Sequence, residues 1–109
     1  MNNGPTEQNE GTSIVRIDPD LQAIVPGFLD NRRRDVVTIE HCLRTKDLET
    51  IRLLGHRMKG DGGGYGFPLI SAIGHRLEQA ALRQDLVALE ATLARLRDFL
   101  AHVTVIYGA

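Results

Sequence analysis

At 109 residues the chain is the size of one domain with a core of its own. A formal net charge of −1 gives bulk electrostatics no pull toward nucleic acid or a membrane surface, and a lone cysteine, Cys42, excludes an internal disulfide. Apolar residues make up an ordinary 42%, aromatics only 5%, and Trp is absent; with Leu, Ala and Arg abundant, that composition favours helices over sheet. No apolar run approaches the roughly 18 residues of a membrane span and no signal-peptide pattern opens the chain, so a cytoplasmic location is expected.

Residues 1–13, "MNNGPTEQNEGTS", are polar and without hydrophobic period, and are expected to form a disordered tail before a domain over 14–109. "SIVRID" offers a short extended lead-in. "DPDL" then starts a short extra N-terminal helix, with Asp18 as N-cap and Pro19 in first helical position. Pro26 breaks or restarts it. From about Gly27 to Arg44, Phe28, Val36, Ile39 and Leu43 recur at helical spacing, interrupted by the charges of "NRRRD". A second long helix begins near Asp47 and runs into the glycine stretch. Pro68 suits the first turn of a third, reaching about Arg83.

The last helix carries the clearest pattern. Leu86, Leu89, Leu93, Leu96, Leu100, Val103 and Tyr107 step alternately by three and four. Core packing explains that ladder better than a dimerisation seam does. Four amphipathic helices with short connections predict an all-α, antiparallel up-down four-helix bundle. Cys42 is expected in or near its core.

"HRMKGDGGGYG", from His56 to Gly66, places five glycines where the preceding residues read as helix. At about 100° per residue, Ile51, Leu54, Met58 and Tyr65 form a core stripe. Arg52, His56, Lys59, Gly60 and Gly63 share the opposite face. Each interior glycine costs about 0.5–1 kcal/mol relative to alanine, so the run needs a compensating reason. Gly62, on the core side, would let a neighbouring helix approach. Gly60 and Gly63 would leave room for another molecule to reach the imidazole, and Gly66 would end the helix in a left-handed conformation. A phosphate-binding loop fails on spacing, because the lysine precedes the glycines. No register satisfies the dinucleotide fingerprint, and no strand precedes the run.

"LGHRMKGDGGGYGFPLISAIGHRLEQAA" resembles the core of a histidine-containing phosphotransfer (HPt) domain. The family pattern is H-x-x-K-G, a run of small residues, a glycine ten positions after the histidine, and an "LE"-like ending on the next helix. His56, Lys59, Gly60, Gly66, Leu77 and Glu78 match in order and spacing. The match is strongest over about 30 residues and extends, as a four-helix plan, to roughly 18–107. Asp61 departs from it, standing where the family tends to carry a small neutral residue; the wheel puts it about 140° from His56, toward the core edge.

The resemblance implies a phosphoryl carrier, with no nucleotide site and no cofactor of its own. His56 would take a phosphoryl group on Nε2 from a receiver-domain aspartate or a sensor histidine kinase and pass it to another response-regulator receiver. Mg is expected on the receiver. Lys59 would attract the phosphoryl oxygens. Glu78 and His75, at i and i+3 on the helix after the turn and away from a stripe of Leu69, Ile73 and Leu77, are the candidates to orient the ring. Elementary chemistry agrees: much imidazole is unprotonated near neutral pH, and phosphoryl transfer asks chiefly for positioning and charge neutralisation. Arg32, Arg33 and Arg34 could steer an acidic partner, although a solvated face is the plainer reading. His41 and His102 are expected to be structural or solvated. The protein is expected to be monomeric, without nucleic-acid or membrane partners. Two alternatives are a receiver-docking module without transfer and a metal-binding bundle using His56, His75 and Glu78. No E-x-x-H pair supports a di-iron site, and the adjacent lysine opposes a cation.

Overall fold

The computed structural model describes residues 13–108. Strand β1 (Ser13–Ile17) leads through a single 3-10 turn, Pro19–Leu21, into α1 (Val25–Thr45), α2 (Leu48–Gly64), α3 (Pro68–Leu82) and α4 (Leu86–His102), and strand β2 (Val103–Tyr107) follows. Four helices carry most of the chain, as a helical bundle requires. The expected tail lies outside the described residues except for Ser13, which opens β1.

The expected extra N-terminal helix is reduced to that 3-10 turn. Asp18 does cap it, its Oδ1 accepting the Asp20 N–H at 2.8 Å, with Pro19 in the first position. Pro26 lies within the first turn of α1, where its missing N–H has no helical partner to lose, so it restarts the helix.

The all-α expectation needs correction at both ends. The last helix stops at His102, and Val103–Tyr107 pairs in parallel with β1, in a register from Ser13↔Val103 to Ile17↔Tyr107. A spacing of four, as from Val103 to Tyr107, satisfies a period of two as well as one of 3.6, so the ladder seemed to continue. "VTVIY" is nearly all β-branched or aromatic, and local preference prevails once a partner strand is at hand. Val103, Val105 and Tyr107 turn inward, and Thr104 and Ile106 face solvent.

Two helix joints share one device. Lys46 (φ 62°) and Gln84 (φ 56°) take left-handed conformations after α1 and α3. The next N–H reaches back in each case, Asp47 to the Cys42 carbonyl and Asp85 to that of Ala80, both at 2.9 Å. The same aspartates cap the next helix, accepting the N–H of Thr50 and of Ala88 at 3.1 and 3.0 Å. The joint after α2 uses glycine: Gly66 sits at φ 87°, its N–H bonds Gly63, and the Phe67 N–H bonds the Gly62 carbonyl at 2.7 Å. Gly66 is also spatially required, because a Cβ there would lie 2.8 Å from Ile17 Cδ1.

Ile39, Ile51, Ile70, Leu77, Leu89 and Leu96 are fully buried at the centre, and Cys42 is buried beside them. Phe28 stacks on Tyr65 and Phe67, at 4.4 and 5.4 Å between ring centroids, and Phe67 meets Phe99 edge-on at 6.4 Å. These rings tie α1, the α2–α3 turn and α4 together. The buried stripe of α3 runs through Ile70, Ile73 and Leu77, while Leu69 is exposed.

The tightest packing is backbone on backbone between α2 and α3. A Cβ on Gly55 would lie 2.7 Å from the Glu78 nitrogen, one on Gly74 would lie 2.5 Å from the Lys59 nitrogen, and one on Gly62 would lie 2.5 Å from the Ser71 nitrogen.

Lys46→Gly and Gln84→Gly are expected to raise stability, each by up to about 1 kcal/mol, because glycine relieves the left-handed strain at some cost in unfolded-chain entropy. Gly74→Ala should lower it by about 1–3 kcal/mol through overpacking. Denaturant unfolding checks both. A loss from either left-handed change would show that the side chain, and not the backbone angle, governs that joint.

Candidate functional site

Gly55 and Gly74 let α2 and α3 touch, and that contact delivers three side chains to one place. His56 and Lys59 come from α2. Glu78, seven-tenths of the way along α3, faces them. Its Oε2 lies 2.9 Å from His56 Nδ1 and its Oε1 lies 3.0 Å from Lys59 Nζ. Across the same seam Ser71 Oγ donates to the Lys59 carbonyl at 2.6 Å, tying the helix backbone at the lysine.

The three groups differ sharply in exposure. The His56 side chain is 63% exposed and that of Glu78 only 10%. Oε1 of Glu78 is enclosed and its approach to Lys59 falls outside hydrogen-bond geometry, so the ammonium compensates it by charge. The Lys59 ammonium holds the Glu78 carboxyl below the usual glutamate range; burial opposes it, and the bond to His56 adds to the lowering. An ionised carboxylate only accepts hydrogen bonds. Nδ1 of His56 therefore carries the proton and donates to Glu78, and in the neutral ring Nε2 keeps its lone pair. The exposed ring turns that nitrogen away from the carboxylate.

Beyond the imidazole the surface is bare. Gly60, Gly63 and Gly64 have nothing within 4 Å of where a Cβ would stand, unlike Gly62, whose face is filled by α3. Gly66 closes the helix through the turn described above.

His75 does not join this group. It is exposed and lines a groove toward α4 with Arg76, Gln79 and Arg83. Among the described residues it has no hydrogen bond or ion pair, and no three His, Cys, Asp or Glu side chains stand together as a metal site would require. Asp61 is not at the core edge: its side chain is 48% exposed, with Oδ2 4.0 Å from an Arg32 guanidinium nitrogen.

The α1 arginines are engaged at home. Arg32 lies over the Phe28 ring and bonds Asp35 at 2.9 Å, with only 11% of its side chain exposed. Arg33 bonds Asp30, and Arg34 bonds the Asn31 side chain at 2.6 Å.

Sequence reasoning singled out neither Gly55 nor Gly74. A signal was present: "GHR" occurs at 55–57 and again at 74–76, each time with a glycine inside a helix where it is costly.

The model of one protein family, described as the Hpt domain, matches residues 24–104, and this chain belongs to that family. Hpt domains act in histidine phosphotransfer within phosphorelays, as phosphoryl carriers and not as enzymes of the ordinary kind. No curated protein and no solved structure matches the chain. No helix among the described residues is long and apolar enough to cross a membrane.

The depressed Glu78 carboxyl has a consequence for acid stability. Its folded-state value lies below the ordinary 4.5, so its contribution is complete above that pH and is lost as pH falls through the folded value. Asp47 and Glu49 are lowered too, by bonds to Thr50 and Arg52, and stay so in a Glu78 variant. The difference in melting temperature between the native chain and Glu78→Gln should therefore persist down to about pH 5 and shrink below 4.5. A difference that did not depend on pH would show that Glu78 acts by shape alone.

Proposed function

We propose that this chain is a histidine phosphotransfer protein in which His56 is the phosphorylated residue. The observation that carries the reading is Glu78 held 2.9 Å from Nδ1 of an exposed histidine, with Lys59 on the same carboxylate. The Nε2 lone pair attacks the phosphorus of an aspartyl phosphate; the bond from phosphorus to the carboxylate oxygen breaks, and the aspartate leaves as a carboxylate. The ring, now bonded at Nε2 and still protonated at Nδ1, is cationic, and Glu78 stabilises that charge. Lys59 is near enough to be drawn from Glu78 toward the phosphoryl oxygens. The reverse exchange, onto a second receiver, follows the same path.

Several finer features belong to this proposal. The partners are receiver domains of response regulators and a sensor histidine kinase. The Mg that balances phosphoryl charge is supplied by the receiver, and the carrier works as a cytoplasmic monomer. The helices form an antiparallel up-down bundle. Residue pairing supports that arrangement: Gly55 meets Gly74 and Glu78 while Gly62 meets Phe67 and Ser71, and Arg97 bonds Glu40 while Arg33 reaches the Leu100 carbonyl. Gly60 and Gly63 leave the approach to the ring open, and His75 is left without a part in orienting it.

Phosphoramidate, a small phosphoryl donor, should give the native chain an acid-labile, base-stable phosphate. His56→Gln should abolish that label and keep the helical circular dichroism, because the ring is exposed. Retained label in the variant would overturn the assignment. Lys59→Ala should slow transfer from a phosphorylated receiver by about tenfold or more, as loss of one charge donor does at a phosphoryl site.

Gly63→Leu should leave stability level or slightly raised, since leucine is the better helix former, and leave phosphoramidate labelling intact. Exchange with a receiver should fail. Unfolding of this variant would instead make Gly63 a packing residue.

A further inference from the structure

Four arginines elsewhere in the fold are neutralised where they stand. Arg32, Arg33, Arg52 and Arg97 are paired with Asp35, Asp30, Glu49 and Glu40. Two unpaired arginines share one concavity. Arg76 and Arg83 have no ion pair among the described residues, and both open into one groove of about 380 Å³ between α3 and α4. His75, Gln79, Ala80, Ala88 and Thr92 complete its lining, so the walls offer donors and two fixed positive charges and no carboxylate. The sole acid of α3, Glu78, is turned the other way to His56 and Lys59. Asp85, three residues before Ala88, uses its carboxylate to cap α4. In a chain whose formal net charge is −1, this concavity is a concentrated patch of the opposite sign.

Its place matters as much as its charge. Arg76 and Arg83 lie on the α4-facing flank of α3 and Glu78 on the α2-facing flank. The exposed ridge between them is formed by His75 and Gln79. One helix with its side chains is about 10–12 Å across, so a protein covering the His56 imidazole also overhangs the groove. Resting on the phosphocarrier reading, we propose that the α3–α4 groove receives a carboxylate-bearing segment of the protein that exchanges the phosphoryl group with His56. Arg76 and Arg83 supply the electrostatic attraction, and Gln79 and the Thr92 hydroxyl stand beside them as hydrogen-bonding groups. Unlike charges facing one another across an interface raise the association rate and fix the docking orientation, and salt screens the effect. The arginines of α1, tied to their own acids and amide, are not this surface.

Two measurements on the full chain test it. The first is a two-dimensional NMR titration with an acidic peptide of alternating Glu and Asp. Resonances of Arg76, Gln79, Arg83 and Thr92 should shift together, and Arg76→Glu/Arg83→Glu should remove the shifts. Shifts centred on Arg33 and Arg34, or none at millimolar peptide, would overturn the proposal.

The second is transfer from the phosphoramidate-labelled chain to an accepting receiver domain. The double reversal should slow it at least tenfold at low ionic strength, with the gap narrowing as salt rises, while phosphoramidate labelling of His56 stays unchanged. An unchanged transfer rate would overturn the proposal even if the peptide binds. Should the native chain fail to take phosphoramidate label at His56, the carrier reading falls, and the peptide titration still decides whether the groove binds acidic segments.

Discussion

The contact of α2 on α3 through Gly55, Gly62 and Gly74 is the constraint on which the rest depends. At all three positions a single Cβ would stand within 2.7 Å of backbone on the facing helix. Helices that meet through side chains sit 8–10 Å apart, and small residues allow the near limit of that range or less. Only at close range does the short Glu78 side chain reach His56 and Lys59 together, and only then does Ser71 Oγ find the Lys59 carbonyl. The propensity cost of glycine in two helix interiors is offset by dispersion contacts and by a site whose dimensions are set by backbone, which has no rotamers to vary.

Glu78 turns that rigidity into chemistry. A carboxylate this enclosed would be costly if unpaired. Here one oxygen accepts a hydrogen bond from the imidazole N–H and the other faces an ammonium, so the charge is compensated and the ring is held in one tautomer. The arrangement is asymmetric by design of the fold: the holding group is buried and the held group is exposed. The exposed imidazole thereby stands on a stretch of helix that carries no side chains at Gly60, Gly63 and Gly64.

The charge pattern follows a similar logic. Local pairing at i and i+3 holds Arg32, Arg33 and Arg52 against acids of their own helices. Arg76 and Arg83 have no such pair, and the one acid of α3 faces His56 and Lys59 instead. The placing of acids along a helix thus decides which cations are paired, and a count of residues in "NRRRD" does not. Aromatic stacking around Phe28 and Phe67 and the pairing of β1 with β2 finish the fold away from the imidazole, and Ile17 beside Gly66 links those two features.

The sequence by itself determined the helices and most of their limits, because caps and turns are local: Asp47 and Asp85 begin helices, and Gly66 ends one, through bonds to residues within five positions. Its resemblance to the family marked His56, Lys59 and Glu78 as candidates, through the spacing of H-x-x-K-G and the glutamate after the turn. It left open which of His75 and Glu78 faces the ring, since residues three apart on a helix differ by about 60° and only the approach of α2 selects between them. The parallel pairing of β1 with β2 was equally hidden. It joins the two ends of the described chain, and "VTVIY" satisfies both periods until a partner strand is present. Gly55 and Gly74 could be seen as anomalies, yet their purpose required two helices in contact. Tertiary structure decided those matters because each rests on two segments meeting, and a pattern within one segment carries no distance to another.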